Sequence, residues 1–205
     1  MGPLSRQSVV GFAIGVVFTL GASLLGGYLF LKTRPGDPAE GMGALLPSPR
    51  FPSAEQLVVH GSADYDWPLR ELDGRLTSLS EFRNKVVFVH FWATWCRPWC
   101  VAELPGIQRL YDTLSQEGVE FVLISEDQDE DALRKFLIER HVTVPVYLQD
   151  KDVPPVFGAV GVPATFVIGR DGSVLYRHVG PAQWDDESAR VFLRALKHMR
   201  AKGDP

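Results

Sequence analysis

The sequence predicts an α/β fold in which a mixed β-sheet is flanked by helices. Strand-like and helix-like segments alternate through residues 57–200. Residues 86–92 and 119–124 are β-branched and aromatic runs, typical of strands that are covered on both faces. Residues 165–177 contain two further strand-like runs around a Gly-Arg-Asp-Gly turn, which indicates a β-hairpin.

Three helix-like segments complete this pattern. Residues 105–118 place apolar side chains at helical spacing, with Gly118 as the expected stop. Residues 129–140 form a polar helix with one apolar side, and residues 187–198 form a C-terminal helix. The order strand, helix, strand, helix, hairpin, helix predicts helices lying on the faces of the sheet.

The N-terminal part of the chain predicts attachment to a membrane. Residues 9–31 carry no charge, and as a helix they would extend about 35 Å, enough to cross a hydrocarbon core of about 30 Å. We expect a flank at 1–8, a single-pass transmembrane anchor at 9–31, a Pro- and Gly-rich linker at 32–56 and one domain at 57–200. A cleaved signal peptide is the alternative, although its apolar region is usually shorter.

Composition excludes some classes of function. A net charge of −4 with both signs mixed provides no basic surface, so we expect no nucleic-acid partner. The two cysteines of the chain are too few for a disulfide scaffold of the small secreted kind. They are therefore expected to be functional.

These cysteines lie in Trp95-Cys96-Arg97-Pro98-Trp99-Cys100. So close together, they form a local dithiol, a local disulfide or a metal clip. Because oxidised cysteine pairs persist outside the cytosol, we expect the domain to face the periplasm or another extracytoplasmic space, anchored in the inner (cell) membrane.

Several separated motifs identify a family. They are Phe91-Trp92-Ala93-Thr94-Trp95-Cys96, Glu103-Leu104-Pro105, Gly161-Val162-Pro163-Ala164-Thr165-Phe166 and Asp171-Gly172. Together they resemble the TlpA/ResA group of membrane-anchored thioredoxin-like thiol-disulfide oxidoreductases. The resemblance implies a thioredoxin-like fold, protein thiol substrates, a membrane electron donor and no cofactor beyond the Cys96–Cys100 disulfide. It also suggests a role in the maturation of cytochrome c or of a copper centre.

The two cysteines are expected to have different roles. Cys96 lies at the start of a predicted helix, where unpaired N–H groups and the helix dipole favour the thiolate, and Arg97 adds a positive charge. Cys96 is thus the expected nucleophile, and Cys100, one turn deeper, the resolving thiol. Pro98 suits a first helical turn.

The resemblance also places residues on a docking face for the substrate. Trp95 would line that face, whereas Trp92, deeper in the strand, is expected in the core. Pro163 matches the cis-proline of the family, and the backbone of Val162 would then offer an edge to an extended substrate segment.

Two titratable residues are candidates for proton transfer. Glu103 matches an acidic residue of the TlpA/ResA group that could hold a proton near the resolving thiol, or it is a solvated helix-surface glutamate. His90 lies where thioredoxin has a buried acid, and is either a proton acceptor or a satisfied core residue. His141 and His178 are expected at the surface.

The spacing Cys-x-x-x-Cys departs from the Cys-x-x-Cys of the family, and Trp99 is the extra residue. A disulfide at this spacing is possible with distortion of the first turn, which predicts a more oxidising potential. The alternative is a copper chaperone of the Sco type, with Cys96, Cys100 and His90 as ligands. A third hypothesis is a docking module without catalysis.

Overall fold

The computed structural model of the chain describes residues 41–149, 152–158 and 161–199. The predicted flank at 1–8 and anchor at 9–31 lie outside these residues, as does the first part of the predicted linker. Among the residues that are described, none of the helices has both the length and the apolar character needed to cross a membrane.

The described residues form a seven-stranded mixed sheet. Its strands are β1 (Pro68–Glu71), β2 (Leu76–Ser78), β3 (Val86–Trp92), β4 (Val119–Ser125), β5 (Val146–Leu148), β6 (Ala164–Ile168) and β7 (Val174–Val179). Their order across the sheet is β2-β1-β5-β4-β3-β6-β7. The central strand β3 runs parallel to β4 and antiparallel to β6. The mixed α/β sheet expected from the sequence is therefore confirmed.

Within residues 41–199, where the structure is described, three α-helices accompany the sheet: α1 (Trp99–Leu114), α2 (Glu130–Glu139) and α3 (Glu187–His198). The side chain of Asp129 caps α2 by accepting from the N–H of Ala132, and Asp186 caps α3 in a similar way. Both helices lie where the apolar spacing predicts them.

Strand β3 separates two hydrophobic clusters. Every one of its residues is buried, and successive side chains point to opposite faces of the sheet. Phe88 and Trp92 join the buried side chains of the three helices in one cluster, while Val89 and Phe91 belong to the other. His90 lies between Phe88 and Trp92, two residues from each along the strand. Its side chain therefore shares their face, the one covered by the helices.

The structure differs from the expected pattern at helix α1. This helix begins at Trp99, just after Cys96 and Pro98, which the sequence places at its start and in its first turn, and so earlier than the apolar spacing of residues 105–118 alone indicates. Pro105 lies inside the helix. At the other end, Gly118 adopts a left-handed conformation with φ of 84° and stops the helical segment as expected.

The packed domain also begins earlier than residue 57. Leu46 is buried, and the ring of Phe51 stacks on that of Phe192 with centroids 4.5 Å apart. The N–H of Gln183 donates to the carbonyl oxygen of Pro47 at 2.9 Å. The last part of the expected linker is therefore bound to the domain by apolar contacts that composition alone does not reveal.

Candidate active site

Cys96 lies in the connection between β3 and α1, and Cys100 is the second residue of α1. They form a disulfide, with Cα atoms 5.4 Å apart, inside the usual range of about 4.4–6.8 Å. The N–H of Cys100 donates to the carbonyl oxygen of Cys96 at 3.0 Å, in the i to i−4 pattern of a helix. The spacing of four therefore brings the cysteines together at an ordinary Cα separation, and the higher redox potential expected from it stays a prediction.

The two cysteines differ in exposure. Cys100 is completely buried beside Trp92 in the cluster under the helices, whereas Cys96 is partly exposed. Trp92 is in the core, as expected. Only the sulfur of Cys96 is thus open to a protein partner.

A carboxylate holds the loop that carries Cys96. Asp127 accepts hydrogen bonds from the backbone N–H of Thr94 at 2.9 Å and from its hydroxyl at 2.6 Å. The hydroxyl of Ser125, at the end of β4, also donates to Asp127 at 2.8 Å. These bonds join the loop after β3 to the end of the neighbouring strand, and therefore fix the position from which Cys96 is presented.

Two cis peptide bonds flank the disulfide. The bond between Val162 and Pro163 is cis, as the resemblance implies, and the bond between Arg97 and Pro98 is also cis. The Sγ of Cys96 lies 3.7 Å from the carbonyl oxygen of Val162. Pro98 does not enter the first turn but precedes it as the N-cap residue of α1.

Two large aromatic side chains are exposed around Cys96. Trp95 is 62% exposed and Trp99 is 47% exposed. The guanidinium of Arg97 lies over the ring of Phe136 on α2, 5.8 Å from its centroid. Two exposed aromatic rings next to the partly exposed Cys96 give this surface the apolar character typical of a contact site for another molecule.

His90 is completely buried on β3. Its Nδ1 lies 2.8 Å from the hydroxyl oxygen of Thr165 on β6, and Nε2 has no hydrogen-bond partner among the described residues. Burial, and to a lesser extent the charge of His178, lowers the pKa of His90 from 6.5 to about 3. The imidazole is therefore neutral at neutral pH.

Glu103 is buried on the inner face of α1, not solvated at its surface. One oxygen, Oε1, accepts from the backbone N–H of Ala182 at 2.9 Å and from the indole N–H of Trp184 at 2.6 Å. Burial raises the pKa of Glu103 from 4.5 to about 8, although these two bonds act in the opposite direction. The carboxyl is therefore mainly protonated at neutral pH.

The fold brings these two residues together. The Nε2 of His90 and the Oε2 of Glu103 are 3.9 Å apart and both are buried. Since burial favours the neutral form of each, the two side chains are a pair of neutral groups and not an ion pair.

His178, expected at the surface, is half-buried. Its Nε2 is buried without a hydrogen-bond partner among the described residues. Its ring packs at right angles to that of Trp184, with centroids 5.5 Å apart, and burial lowers its pKa. Its place opposite Thr165 in the pairing of β6 with β7 explains this burial, because both residues then point towards the helices.

Metal binding was the main alternative for the cysteine pair. In the parts of the chain that the structure describes, no three His, Cys, Asp or Glu side chains are grouped so that they could hold a metal ion. The Nε2 of His90 faces Glu103, and Nδ1 faces Thr165. Nothing in this arrangement favours the copper chaperone over a redox disulfide.

A thioredoxin-like fold with a partly exposed and a buried cysteine in one local disulfide defines a thiol-disulfide oxidoreductase. A family model described as Redoxin matches residues 48–192. Thiol-disulfide oxidoreductase ResA from Bacillus cereus is 30% identical over 146 residues, covering 70% of this chain and 82% of that protein. ResA from Geobacillus thermodenitrificans is 33% identical over 148 residues, a match that covers 72% of this chain and 83% of that protein.

Solved structures agree with these sequence matches. A structure described as thiol:disulfide interchange protein DsbE from Chlorobium tepidum superposes with a TM-score of 0.60 at 29% identity. The match covers 69% of this chain and 99% of that one. The chain belongs to the Redoxin family, and within it to the protein-disulfide oxidoreductases of the ResA type.

Proposed function

We propose that this protein reduces disulfides in exported proteins, and that apocytochrome c is a substrate. The observation that carries the proposal is the asymmetry of the Cys96–Cys100 pair, in which one sulfur is accessible and the other is buried. The similarity to ResA supports the same chemistry. A membrane electron donor would return the disulfide to the dithiol after each cycle.

The reaction proceeds in two exchanges. The thiolate of Cys96 attacks one sulfur of the substrate disulfide, the substrate S–S bond breaks, and the first substrate sulfur leaves as a thiolate that takes up a proton. Cys100 then loses its proton and attacks the Sγ of Cys96. The Cys96–Cys100 bond forms, the mixed disulfide breaks, and the second substrate thiolate leaves, so that two electrons have passed to the substrate.

The surroundings of Cys96 prepare the first exchange. Cys96 lies just before the N-terminus of α1, where unpaired backbone N–H groups favour a negative charge. The carbonyl of Val162 lies beside its sulfur. An extended substrate segment would lie along Val162 and Pro163, with Trp95 and Trp99 providing apolar contacts on its other side.

We also propose that the protein acts from the membrane. The uncharged run at 9–31 would anchor it in the inner membrane, and the domain would face the periplasm, where substrate disulfides form. Labelling intact cells with a membrane-impermeant thiol reagent tests this orientation. Labelling of the reduced protein only after the cells are lysed would contradict it.

Direct reduction of a substrate tests the activity. The reduced full-length chain in proteoliposomes should reduce an oxidised apocytochrome c peptide that contains its Cys-x-x-Cys pair. The Cys96→Ser variant should lose the activity by at least about 100-fold, because the remaining thiol, Cys100, is buried and cannot reach a substrate disulfide. Equal rates for the variant and the unmodified chain would refute the proposal.

A further inference from the structure

A row of polar side chains crosses the helix-covered face of the sheet. His90 on β3, Thr165 on β6 and His178 on β7 are paired in register on adjacent strands. Glu103 reaches the same place from α1. Polar groups are expensive to bury in an otherwise apolar cluster, so their placement together requires an explanation.

Three buried atoms in this row lack a hydrogen bond among the described residues, and two of them face each other. The Nε2 of His90 and the Oε2 of Glu103 are both buried, both lack a hydrogen bond among the described residues, and lie 3.9 Å from each other. A movement of about 1 Å would bring them to hydrogen-bond distance. Each atom can satisfy the other if one proton lies between them.

We propose that His90 and Glu103 share one exchangeable proton between Nε2 and Oε2, and that His90 is a positioning residue controlling when Glu103 can take a proton from Cys100. The role of His90 in resolution rests on the proposed exchange reaction. Its structural part concerns the oxidised protein alone.

The protonation state of Glu103 determines which of the two ring nitrogens of His90 carries the ring proton. When Glu103 is protonated, its O–H donates to Nε2, so the ring proton is on Nδ1 and donates to the hydroxyl oxygen of Thr165. When Glu103 is ionised, Nε2 carries the ring proton and donates to Oε2, while the hydroxyl of Thr165 donates to Nδ1. Both states give a partner to Nδ1 and Nε2 of His90 and to Oε2 of Glu103, so loss of one proton from the carboxyl changes the tautomer of His90.

The position of Glu103 connects this pair to the resolving thiol. Glu103 follows Cys100 by three residues on α1, a spacing that makes side chains neighbours on a helix. In the resolving step the proton on the sulfur of Cys100 passes to the ionised carboxyl of Glu103. The Cys100 thiolate then attacks Cys96, and His90 returns to the Nδ1 tautomer by releasing the Nε2 proton to water and taking up another proton at Nδ1, so the ring gains and loses one proton.

Other titratable groups around the pair are few. His178 faces it from β7, and Tyr176 lies on the same strand with its pKa raised by burial to about 12. The segment after β7 contributes only the N–H groups of Ala182 and Trp184, which donate to Glu103. A positive charge on His178 would oppose one on His90, which favours a ring that changes tautomer over one that becomes charged.

Nitrogen NMR of the full-length oxidised chain in detergent, with ¹⁵N-labelled histidine, tests the tautomer change. We expect the proton of His90 to move from Nδ1 to Nε2 as pH rises through the pKa of Glu103. Glu103→Gln should hold it on Nδ1 throughout, because the amide donates to Nε2 at every pH. His60→Asn, which replaces an exposed histidine, should leave the behaviour of His90 unchanged.

Kinetics test the role in resolution. The decay rate of a preformed mixed disulfide on Cys96 should rise with the ionisation of Glu103. In His90→Asn, the midpoint of the plot of this decay rate against pH should move upward by at least about one pH unit, because the Glu103 carboxylate loses the N–H donor of His90. Glu103→Gln should remove that inflection, and His60→Asn should leave it in place.

The outcomes separate this inference from the proposed function. A tautomer of His90 that does not change with pH, or protonation of its ring near pH 6.5, would overturn the inference even if the protein reduces its substrate. An unchanged pH midpoint in His90→Asn would also overturn it. A tautomer change in a protein without exchange activity would refute the proposed function and leave the shared proton established.

Discussion

The indole N–H of Trp184 donates to the Oε1 of Glu103 at 2.6 Å and fixes one side of a buried carboxyl. The other oxygen is directed at His90. This arrangement keeps a carboxyl and an imidazole in a cluster that is otherwise apolar, one turn from the resolving cysteine. Its consequences concern stability as well as catalysis.

The pH dependence of stability should follow from these two groups. The pKa of Glu103 is raised from 4.5 to about 8, so its contribution is complete below pH 4.5 and is lost as pH rises to 8. The pKa of His90 is lowered from 6.5 to about 3, so its contribution is complete above pH 6.5 and is lost as pH falls to 3. Between pH 4.5 and 6.5 the two slopes oppose each other, and the pair should contribute a stability plateau there.

Urea unfolding of the full-length chain at pH 4, 5.5 and 8.5 measures this effect. The difference in free energy of unfolding between Glu103→Gln and the unmodified chain should shift in favour of the variant by at least about 1 kcal/mol as pH rises from 5.5 to 8.5. For His90→Asn, the same difference should shift in favour of the variant as pH falls from 5.5 to 4. A difference between variant and unmodified chain that does not change with pH would contradict the assigned protonation states.

Loss of Asp127 should loosen the active-site loop. Asp127→Ala leaves the backbone N–H and hydroxyl of Thr94 without their acceptor, which should cost about 1–3 kcal/mol in the free energy of unfolding. We also expect slower attack by Cys96, measured by stopped-flow reduction of a small aromatic disulfide. Asp131→Ala is the matched control, because Asp131 is 98% exposed on α2. Similar rates for the two variants would show that the loop does not depend on Asp127.

Trp99 should contribute to the binding of protein substrates and not to the thiol-disulfide exchange itself. Because its side chain is 47% exposed beside the cysteines, Trp99→Ala should raise KM for an apocytochrome c peptide roughly 3–30-fold, as expected for an aromatic contact residue. The rate with a small disulfide should stay unchanged. Val191→Ala on α3 removes another exposed apolar side chain and is the control. An equal loss of rate with both substrates would place Trp99 in the chemistry instead.

Part of this structure could be predicted from the sequence and part could not. The strongly apolar β3 and β4 and the hairpin of β6 and β7 carry patterns that are visible over six or more residues. Strands β1, β2 and β5 are only three or four residues long, which is too short for such a pattern to be recognised. The packing of Phe51 depends on contacts with residues far along the chain, which composition does not show.

The site shows the same division. The Cys96–Cys100 disulfide and the cis bond at Pro163 could be expected from local motifs, because these motifs specify the backbone around them. The contact of His90 with Glu103 could not, since it depends on how α1 lies over β3. Asp127 carried no signal beyond its place shortly after a buried strand, where a polar residue can reach the neighbouring loop.

Trapping of a mixed disulfide tests the central claim most directly. The full-length Cys100→Ser variant, reduced and then mixed with an oxidised apocytochrome c peptide, should accumulate a covalent complex through Cys96 that mass spectrometry resolves and a reductant releases. The Cys96→Ser variant should trap none, because Cys100 is buried. Trapping by Cys96→Ser and not by Cys100→Ser, or by neither variant, would contradict the assignment of Cys96 as the attacking and Cys100 as the resolving thiol.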